Sequence, residues 1–303
     1  MIALSKIRAL TLRRPSAPGR PAYISAASGL VCRGGFIYVI ADDELSLAVF
    51  QGNEPGTLVR LFAGTLAEDA KERKAEKPDF ESLAFVPAFD DFPHGALLAC
   101  GSGSRPNRTF GALIGLDAAG AVHGSPRVVD LACIMRPLGD AFPALNIEGV
   151  VVTDEHFTVF QRGNKKHSQS ALVHFPLAKV LRGLSGGHRG SIMPTALHDV
   201  PLGEIKGIPL SFTDACLLPG GDMIFAAVAE DTDDAYADGL CVGAAIGRVA
   251  ADGALGWINP LAGAHKVEGL SARVEGTEIK LLLVTDADDI TVPADLLAAT
   301  IPL

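Results

Sequence analysis

The sequence predicts an all-β fold, a five-bladed β-propeller, from three observations. Short apolar segments alternate with glycine-rich turns along nearly all of the 303 residues. Five of these segments open alike, with an acid or a serine, then a small residue, then an apolar one. The openings lie 53–67 residues apart, which suits a four-stranded antiparallel blade. They are Ser28-Gly29-Leu30, Glu81-Ser82-Leu83, Glu148-Gly149-Val150, Asp214-Ala215-Cys216 and Glu268-Gly269-Leu270.

Each unit then carries further strand signals in the order expected of a blade. The second apolar segment ends in a polar turn in every unit, namely IADDE, CGSGS, FQRGN, AEDTD and TDADD. Third strands are predicted to start at Leu45, Phe110, Ser170, Gly243 and Ile290. A fourth follows in four units, as LVRLFAG, RVVDLACI, TALHDVPL and GWINPL. Turns such as Arg33-Gly34-Gly35 and Asp252-Gly253 are typical of hairpins.

The fifth unit lacks a fourth strand, and the N-terminal segment supplies one. Only 35 residues follow Glu268, while the strand-like segment IRALTLR at residues 7–13 has no blade of its own. We therefore expect this segment to complete the last blade and close the ring, which removes a free sheet edge. A six-bladed propeller with a degenerate blade and an irregular β-sandwich are the alternatives. Residues 1–303 are predicted to form one domain, with a polar insertion, helical or mobile, at residues 65–78.

Composition narrows the classes of function. The formal net charge of −9 argues against a general basic surface for nucleic acid. No apolar run is long enough to span a membrane, and the N-terminus lacks the pattern of a secretory signal, so a cytoplasmic protein is expected. The five cysteines show no CxxC spacing and are interpreted as reduced core residues. The oligomeric state is not predicted.

The four acidic openings indicate a ring of carboxylates in the central channel. If the openings are equivalent, Glu81, Glu148, Asp214 and Glu268 face one another, with Ser28 in the fifth place. Such a ring is stable only when its members are protonated, hydrogen-bonded or shared by a cation. One hypothesis is therefore a metal site for Ca²⁺ or another divalent cation. The other is that each acid accepts hydrogen bonds from the backbone of the neighbouring blade.

The ends of the second strands are expected to line the same channel mouth. Arginine and lysine there could hold an anionic group beside a bound cation. Solvated turn residues are the alternative interpretation. The predicted substrate-binding residues are Asp42, Arg105, Arg162, Asn164, Lys165 and Asp286.

Other motifs give weaker signals. The acidic run at residues 230–239 does not have the spacing of an EF-hand and is interpreted as a solvated loop. The histidines form no HExxH or comparable zinc motif. GxSxG, Walker A and dinucleotide-binding motifs are absent from the sequence, and no catalytic nucleophile is identified.

The inner-strand segments resemble a known group of propellers. FESLAFVP, NIEGVVVTDEHFTVFQRGN, FTDACLLPGGDMIFAAVAED and KVEGLSARVEGTEIKLLLVTDADD are similar to the repeated units of phytase-like esterase propellers and related calcium-associated bacterial propellers. The resemblance implies a propeller and, in some members, metal-assisted hydrolysis of esters or phosphoesters at the central mouth. Gluconolactonase-like propellers similarly hold a divalent cation on the axis with Glu, Asn and Asp, and Glu148 and Asp214 would take such places here.

The sequence therefore supports three functions. The first is a metal-dependent hydrolase of a small anionic ester, phosphoester or lactone, in which Arg162 or Arg105 grips the anion. The second is a non-catalytic propeller that binds a ligand or a protein and uses its carboxylates structurally. The third is a five-bladed glycosidase with two carboxylates in a cleft, for which the chain offers only one Trp and three Tyr to stack on sugars.

Overall fold

The computed structural model, which describes residues 1–186, 190–232 and 239–303, contains five small sheets arranged in a ring. The inner strands of the five sheets contact one another in sequence around a central axis, and the last contacts the first. This arrangement is a five-bladed β-propeller, as the sequence predicts. The alternatives of six blades or of a β-sandwich are wrong.

The strands follow the chain order of the blades. After β1 (Ser5–Ala9), blade one comprises β2 (Ala27–Arg33), β3 (Phe36–Ala41), β4 (Ser46–Gln51) and β5 (Thr57–Arg60). Blade two comprises β6 (Phe80–Val86), β7 (Ala96–Gly101), β8 (Phe110–Gly115) and β9 (Arg127–Asp130). Blade three comprises β10 (Ile147–Val152), β11 (His156–Gln161), β12 (Ala171–Pro176) and β13 (Ala196–Asp199).

Blades four and five depart slightly from this plan. Blade four adds a short strand beside its inner strand and comprises β14 (Glu204–Ile205), β15 (Ile208–Leu217), β16 (Met223–Asp231), β17 (Leu240–Val249) and β18 (Leu255–Pro260). Blade five comprises β19 (Val267–Glu275), β20 (Glu278–Thr285) and β21 (Asp295–Pro302). The last strand begins later than the predicted start at Ile290, because the Asp289 side chain accepts the Thr291 N–H and holds a turn there.

The N-terminal strand closes the ring. Strand β1 pairs antiparallel with β21, with Ser5 opposite Ala298 and Ala9 opposite Asp295. The paired residues lie slightly before the predicted segment at residues 7–13, whose last members form isolated bridges to Tyr23 and Gly56. Blade five is thereby built from both ends of the described chain, and the predicted closure is confirmed.

Three α-helices interrupt the sheets in the described part of the chain. Helix α1 (Ala70–Glu76) lies in the polar insertion, and the Asp69 carboxylate caps it by accepting the N–H groups of Lys71 and Glu72. Helices α2 (Ala132–Gly139) and α3 (Leu177–Leu184) bury apolar faces against blades two and three. The expectation that RVVDLACI is strand throughout is therefore wrong after Asp130. None of the described helices has the length and apolarity needed to cross a bilayer.

Every inner strand carries a β-bulge near its start, and the bulge defines which residues are equivalent. The pairing register shifts at Ser28, Glu81, Glu148, Thr213 and Glu268. A bulge re-aims one side chain relative to its neighbours. In blade four the equivalent residue is therefore Thr213 and not Asp214, so the predicted alignment of that blade is wrong by one residue.

The residue after each bulge lies where the inner strands approach most closely. A Cβ atom on Gly269 would lie 3.1 Å from the backbone carbon of Gly29 and 2.5 Å from a Val284 methyl group. Glycine or serine fills this position in four blades, and Asp214 fills it in blade four. The Asp214 carboxylate accepts the N–H groups of Ala215 at 2.8 Å and of Leu270 at 2.6 Å. The Asp214 carboxylate therefore links inner strand β15 of blade four to inner strand β19 of blade five.

Apolar side chains fill the space between adjacent blades. Phe160 of blade three, Phe212 and Phe225 of blade four stack edge to face in series, with centroids 5.0 Å apart at each step. All five cysteines are free, and Cys100 is buried as predicted, whereas Cys32 is exposed and is not a core residue.

Candidate active site in the central cavity

A small polar cavity lies on the propeller axis, with a volume of about 60 Å³. This volume holds a few water molecules or one ion, since one water needs roughly 10–15 Å³. Side chains from the starts of the inner strands and the ends of the second strands surround it, because these two places meet at one edge of an antiparallel pair. The lining residues are Ser28, Asp42, Lys74, Lys77, Asp79, Glu81, Arg108, Asn146, Glu148, Arg162, Gly163, Asn164, Glu230, Thr232, Lys266, Glu268 and Asp286.

The bulged residues turn toward this cavity in three blades. Glu81, Glu148 and Glu268 line it, as the sequence predicts. In the other two blades the bulged residue is Ser28 or Thr213, whose hydroxyl donates to a backbone carbonyl of the next blade, Phe80 or Val267 respectively. The bulge position therefore serves as a cavity carboxylate in three blades and as an inter-blade tie in two.

One half of the cavity pairs Glu148 and Glu268 around Arg162. The Glu148 Oε1 atom accepts from Asn146 Nδ2 at 2.6 Å and from Arg162 Nη1 at 3.2 Å. The same Arg162 nitrogen lies 3.8 Å from Glu268 Oε2. Both glutamates are nearly inaccessible, at 2% and 4% exposure, and their remaining oxygens, Glu148 Oε2 and Glu268 Oε1, have no hydrogen-bond partner among the described residues.

Lys266 and Glu230 complete this half. The Lys266 Nζ atom lies 3.6 Å from Glu268 Oε1, 3.6 Å from Glu230 Oε1 and 2.7 Å from Asp288 Oδ1. Arg162 Nη2 also pairs with Glu230. Two cations are thus shared among several carboxylates, and removing either cation would leave buried negative charge uncompensated.

Burial dominates the acidity of the two glutamates. Loss of solvent raises the pKa of Glu148 to about 8, Arg162 opposes the shift, and Glu268 adds to it. Burial likewise raises the pKa of Glu268 to about 7, against the opposing effect of Lys266 and Arg162. Both carboxyls therefore change protonation state near neutral pH, and the charge of Glu268 favours the protonated form of Glu148.

The other half of the cavity is built around Asp79. Its Oδ2 atom accepts from Arg108 Nη1 and from Ser102 Oγ, both at 2.6 Å, while Oδ1 lies 2.9 Å from Lys77 Nζ. Lys77 also pairs with Asp42. The nearby Glu81 side chain forms no hydrogen bond or ion pair with other described residues, and burial and the charge of Glu148 raise its pKa well above the usual range.

Lys77, at the end of the polar insertion, lies in the half of the cavity that contains Asp79. The last turn of α1 is held beside the cavity because Arg108 Nη2 donates to the Lys74 carbonyl at 2.9 Å and Asn107 Nδ2 donates to the Ala75 carbonyl at 3.1 Å. The end of the insertion is therefore not a solvated loop, since Lys77 is 7% exposed and lines the cavity.

The structure assembles some of the predicted residues and leaves others elsewhere. Asp42, Arg162, Asn164 and Asp286 line the cavity with the three glutamates. Arg105 is exposed, and Lys165 pairs with Asp231 outside the cavity. Asp214 lies at the position after the bulge, where the inner strands approach most closely, and does not line the cavity. In the acidic run at residues 230–239, Glu230 is part of the cavity wall, so that run is not wholly a solvated loop. Residues 233–238 of it lie outside the described part of the chain.

Six charged residues of the cavity were not among the predicted site residues, namely Lys74, Lys77, Asp79, Arg108, Glu230 and Lys266. Asp79 and Lys266 both stand two positions before a bulged glutamate and directly before an inner strand, and that recurring spacing could have revealed them. Lys77 falls in the polar insertion, to which the sequence assigned no role in the site. Arg108 follows the exposed Arg105 and carries no signal that distinguishes it before folding.

The predicted ring of four carboxylates does not fit one cation. Asp214 is engaged by backbone N–H groups, and Glu148 and Glu268 are already compensated by Arg162 and Lys266. A different set fits better: Asp42, Asp79 and Glu81 each offer a carboxylate oxygen, and these atoms lie within 4.8 Å of one another. Oxygen donors of this kind suit Ca²⁺ or Mg²⁺.

Known structures share the architecture over the full chain at very low sequence identity. A candidate glycoside hydrolase of Parabacteroides distasonis aligns over 99% of this chain and 97% of its own, with 11% identity and a TM-score of 0.54. The catalytic domain of an α-L-arabinofuranosidase of Coprinopsis cinerea aligns over 99% of this chain and 96% of its own, with 11% identity and a TM-score of 0.54. A luciferin-regenerating enzyme aligns over 100% of this chain and 96% of its own, with 8% identity and a TM-score of 0.51. At such identities these similarities establish the fold alone.

Sequence comparison identifies the family. No curated protein matches the chain significantly. None of the three structures named above is a phytase-like esterase, so that resemblance stays a prediction. A family model does match residues 23–301, which covers every inner strand and every charged residue of the central cavity. The chain therefore belongs to the family of unknown function DUF6929.

Proposed function

We propose that this protein is a hydrolase of a small polar substrate and that Glu148 and Glu268 act as its acid and base. The observation that carries the proposal is the pair itself. Two buried carboxyls lie against one guanidinium nitrogen, and each has an oxygen without a hydrogen-bond partner in the described structure. Such a pair can hold one proton and one negative charge at neutral pH, the state that general acid–base catalysis requires.

The surroundings assign the two roles. Glu268 lies near two cations, Arg162 and Lys266, which favour its ionised form and suit it to accept a proton from water. Among the described residues Glu148 forms an ion pair with Arg162 only, and its Oε1 atom is occupied as an acceptor. A proton on Glu148 Oε2 is then free to protonate the oxygen of a leaving group.

The charge of the cavity favours a neutral substrate. Seven carboxylates and five cationic side chains line it, and Lys77, Arg108, Arg162 and Lys266 each already pair with a carboxylate. None of these four cations is available to grip an anion without breaking an existing pair. The charge of the cavity wall therefore favours the scissile group of a neutral lactone, carboxylic ester or glycoside over that of an anionic substrate. Two of the similar propellers are described as acting on glycosides, which places glycosides in the first substrate screen.

A second candidate is the metal-dependent hydrolysis of a small anionic ester or phosphoester. The oxygen cluster of Asp42, Asp79 and Glu81 favours it, because a divalent cation there would convert the excess of negative charge into an anion-binding centre. The two candidates differ in one measurable respect. Hydrolysis of neutral substrates should proceed in EDTA, whereas hydrolysis of anionic ones should require added cation.

The test is a substrate screen with matched variants. The purified full chain is assayed against lactones, carboxylic esters, aryl glycosides and aryl phosphates, in EDTA and then with Ca²⁺, Mg²⁺ or Mn²⁺. For any substrate turned over, Glu148→Gln and Glu268→Gln should each lower kcat by about 10²–10⁴-fold. The control is Glu204→Gln, an exposed glutamate outside the cavity, which should retain full activity.

Two outcomes would overturn the proposal. If both cavity variants keep the wild-type rate, the pair is not catalytic. If the folded wild-type protein hydrolyses nothing in the screen, the alternative of a non-catalytic ligand-binding propeller is favoured, with the carboxylates serving the scaffold.

A further inference from the structure

We infer that Asp42, Asp79 and Glu81 form a binding site for one divalent cation and that the ammonium group of Lys77 occupies this site when the cation is absent. The site belongs to blades one and two and is separate from the Glu148–Glu268 pair. The inference goes beyond the proposed hydrolase, because a cation can bind here whether or not the protein is an enzyme.

The arrangement of the three carboxylates is the first observation. One oxygen from each lies within 4.8 Å of the others, close enough to contact a single ion. Lys77 Nζ lies 2.9 Å from Asp79 Oδ1 and also contacts Asp42. A positive charge is thus already held between these two carboxylates, and it is supplied by the chain itself.

The second observation is that one ammonium does not satisfy the site. Glu81 forms no hydrogen bond or ion pair within the described residues, although it borders the same cavity. Glu148 Oε2, on a side chain that is 2% exposed, also lacks a partner and borders this cavity. Among neighbouring charges, Glu148 and then Asp79 act most strongly on Glu81. Carboxyl oxygens without a partner beside other carboxylates need either a proton, as proposed for Glu148, or a positive charge, which a cation bound by Asp42, Asp79 and Glu81 would supply.

A divalent cation supplies what Lys77 cannot. It carries twice the charge, contacts several oxygens at once, and accepts water molecules in its remaining positions. The cavity volume of about 60 Å³ leaves room for such waters. Carboxylate ligands without nitrogen or sulfur favour a hard ion such as Ca²⁺, Mg²⁺ or Mn²⁺ over zinc or copper.

The position of Lys77 also provides the route of entry. An outer cleft of about 510 Å³ borders the insertion that carries α1 and the turn that contains Asp288, Asp289 and Ile290. Asp42, Lys77 and Asp286 line both this cleft and the central cavity. A cation from solvent would therefore reach the three carboxylates through this cleft and would bind by displacing the Lys77 ammonium group.

Calorimetric titration of the EDTA-treated full chain tests the inference without any substrate. Ca²⁺, Mg²⁺ and Mn²⁺ are each titrated into wild type, Lys77→Met, Glu81→Gln and the control Lys71→Met, which removes an exposed lysine of α1. Lys77→Met should bind at least one of these ions about tenfold or more tightly than wild type does, because the competing ammonium is gone. Glu81→Gln should abolish binding, and Lys71→Met should match wild type.

Thermal unfolding with and without the ion gives the second readout. A bound ion should raise the Tm of wild type and of Lys77→Met but not that of Glu81→Gln. If Lys77→Met does not fold, wild type and Glu81→Gln decide the question. Absence of binding by both wild type and Lys77→Met, equal affinity of these two proteins, or unchanged binding by Glu81→Gln would each overturn the inference. Loss of the hydrolase proposal would leave these titrations unaffected.

Discussion

The carboxylate of Asp214 accepts the backbone N–H of Leu270 at 2.6 Å, so a side chain of blade four is hydrogen-bonded to the inner strand of blade five. A second oxygen of the same carboxylate accepts the N–H of Ala215. Burial raises the pKa of Asp214 well above its usual range, and these backbone donors oppose the shift. The residue is placed to hold blades together in the layer where the strands are closest.

Replacing Asp214 with alanine should therefore destabilise the propeller by about 2–4 kcal/mol, since buried N–H groups on two blades lose their acceptor. Thr213→Val is the matched comparison. It removes one hydroxyl bond, 2.7 Å long, to the Val267 carbonyl and should cost about 1 kcal/mol. Urea unfolding measures both. An Asp214 variant as stable as wild type would show that the inter-blade bonds contribute little.

The cavity glutamates should make the protein less stable as pH rises. The folded state holds a proton on Glu148 up to a pKa of about 8, whereas the unfolded chain releases it near 4.5. Between these values the folded state binds more protons, so the free energy of unfolding falls as pH increases. Stability measured at intervals from pH 5 to pH 8.5 should fall more steeply for wild type than for Glu148→Gln. Parallel profiles would contradict the assignment of the shift to this residue.

A row of histidines on blade three should have the opposite dependence. The rings of His156 and His198 each lie 5.3 Å from that of His174, whose nitrogens contact Thr158 Oγ1 and the Ala251 carbonyl. Burial lowers the pKa of His174 below 6.5. The unfolded chain therefore takes up a proton that the folded state resists, and stability is lost as pH falls through 6.5.

His174→Asn should remove this part of the acid sensitivity. The variant is expected to start less stable than wild type at pH 7.5, because the contacts with Thr158 and Ala251 are lost, and then to lose less stability on going to pH 5.5. His123→Asn, at an exposed position, serves as control and should follow wild type. If His174→Asn loses as much stability as wild type over this range, the lowered pKa is not responsible.

A cluster around Arg20 holds the segment that links the closing strand β1 to blade one. Its Nε atom donates to Glu44 Oε1 at 3.0 Å and its Nη2 atom to Asp43 Oδ2 at 2.5 Å, which fixes the segment between β1 and β2 against blade one. The Arg20 side chain is only 8% exposed. Losing one partner of a buried ion pair costs about 3–5 kcal/mol.

Arg20→Met should lower the free energy of unfolding by about 2–3 kcal/mol, below that range because Asp43 remains partly exposed. Denaturant unfolding at pH 7 is the measurement. Arg14→Met, an exposed change in the same segment, should have little effect. Equal stability of the two variants would show that the segment is held by its apolar contacts alone.

Much of the fold could be predicted because it is repeated. Strand length, hairpin turns and the spacing of the five openings are local features that recur in every unit. The number of blades and the closing strand could therefore be predicted from the sequence. The same repetition placed Glu81, Glu148 and Glu268 at the axis. It misplaced Asp214, because a β-bulge adds one residue and the side-chain direction alternates with every residue. An alignment of the blades that is accurate only to one residue cannot show which of two adjacent residues faces the cavity.

The sequence was therefore sufficient for the architecture and for three carboxylates of the site. Only the tertiary structure decided how their charges are balanced. Lys77, Asp79, Arg108 and Lys266 come from an insertion, a turn and two strand starts that are far apart in the chain, and burial makes their pairings strong. These interactions depend on distance and on exclusion of water, and neither quantity exists until the five blades close around the axis.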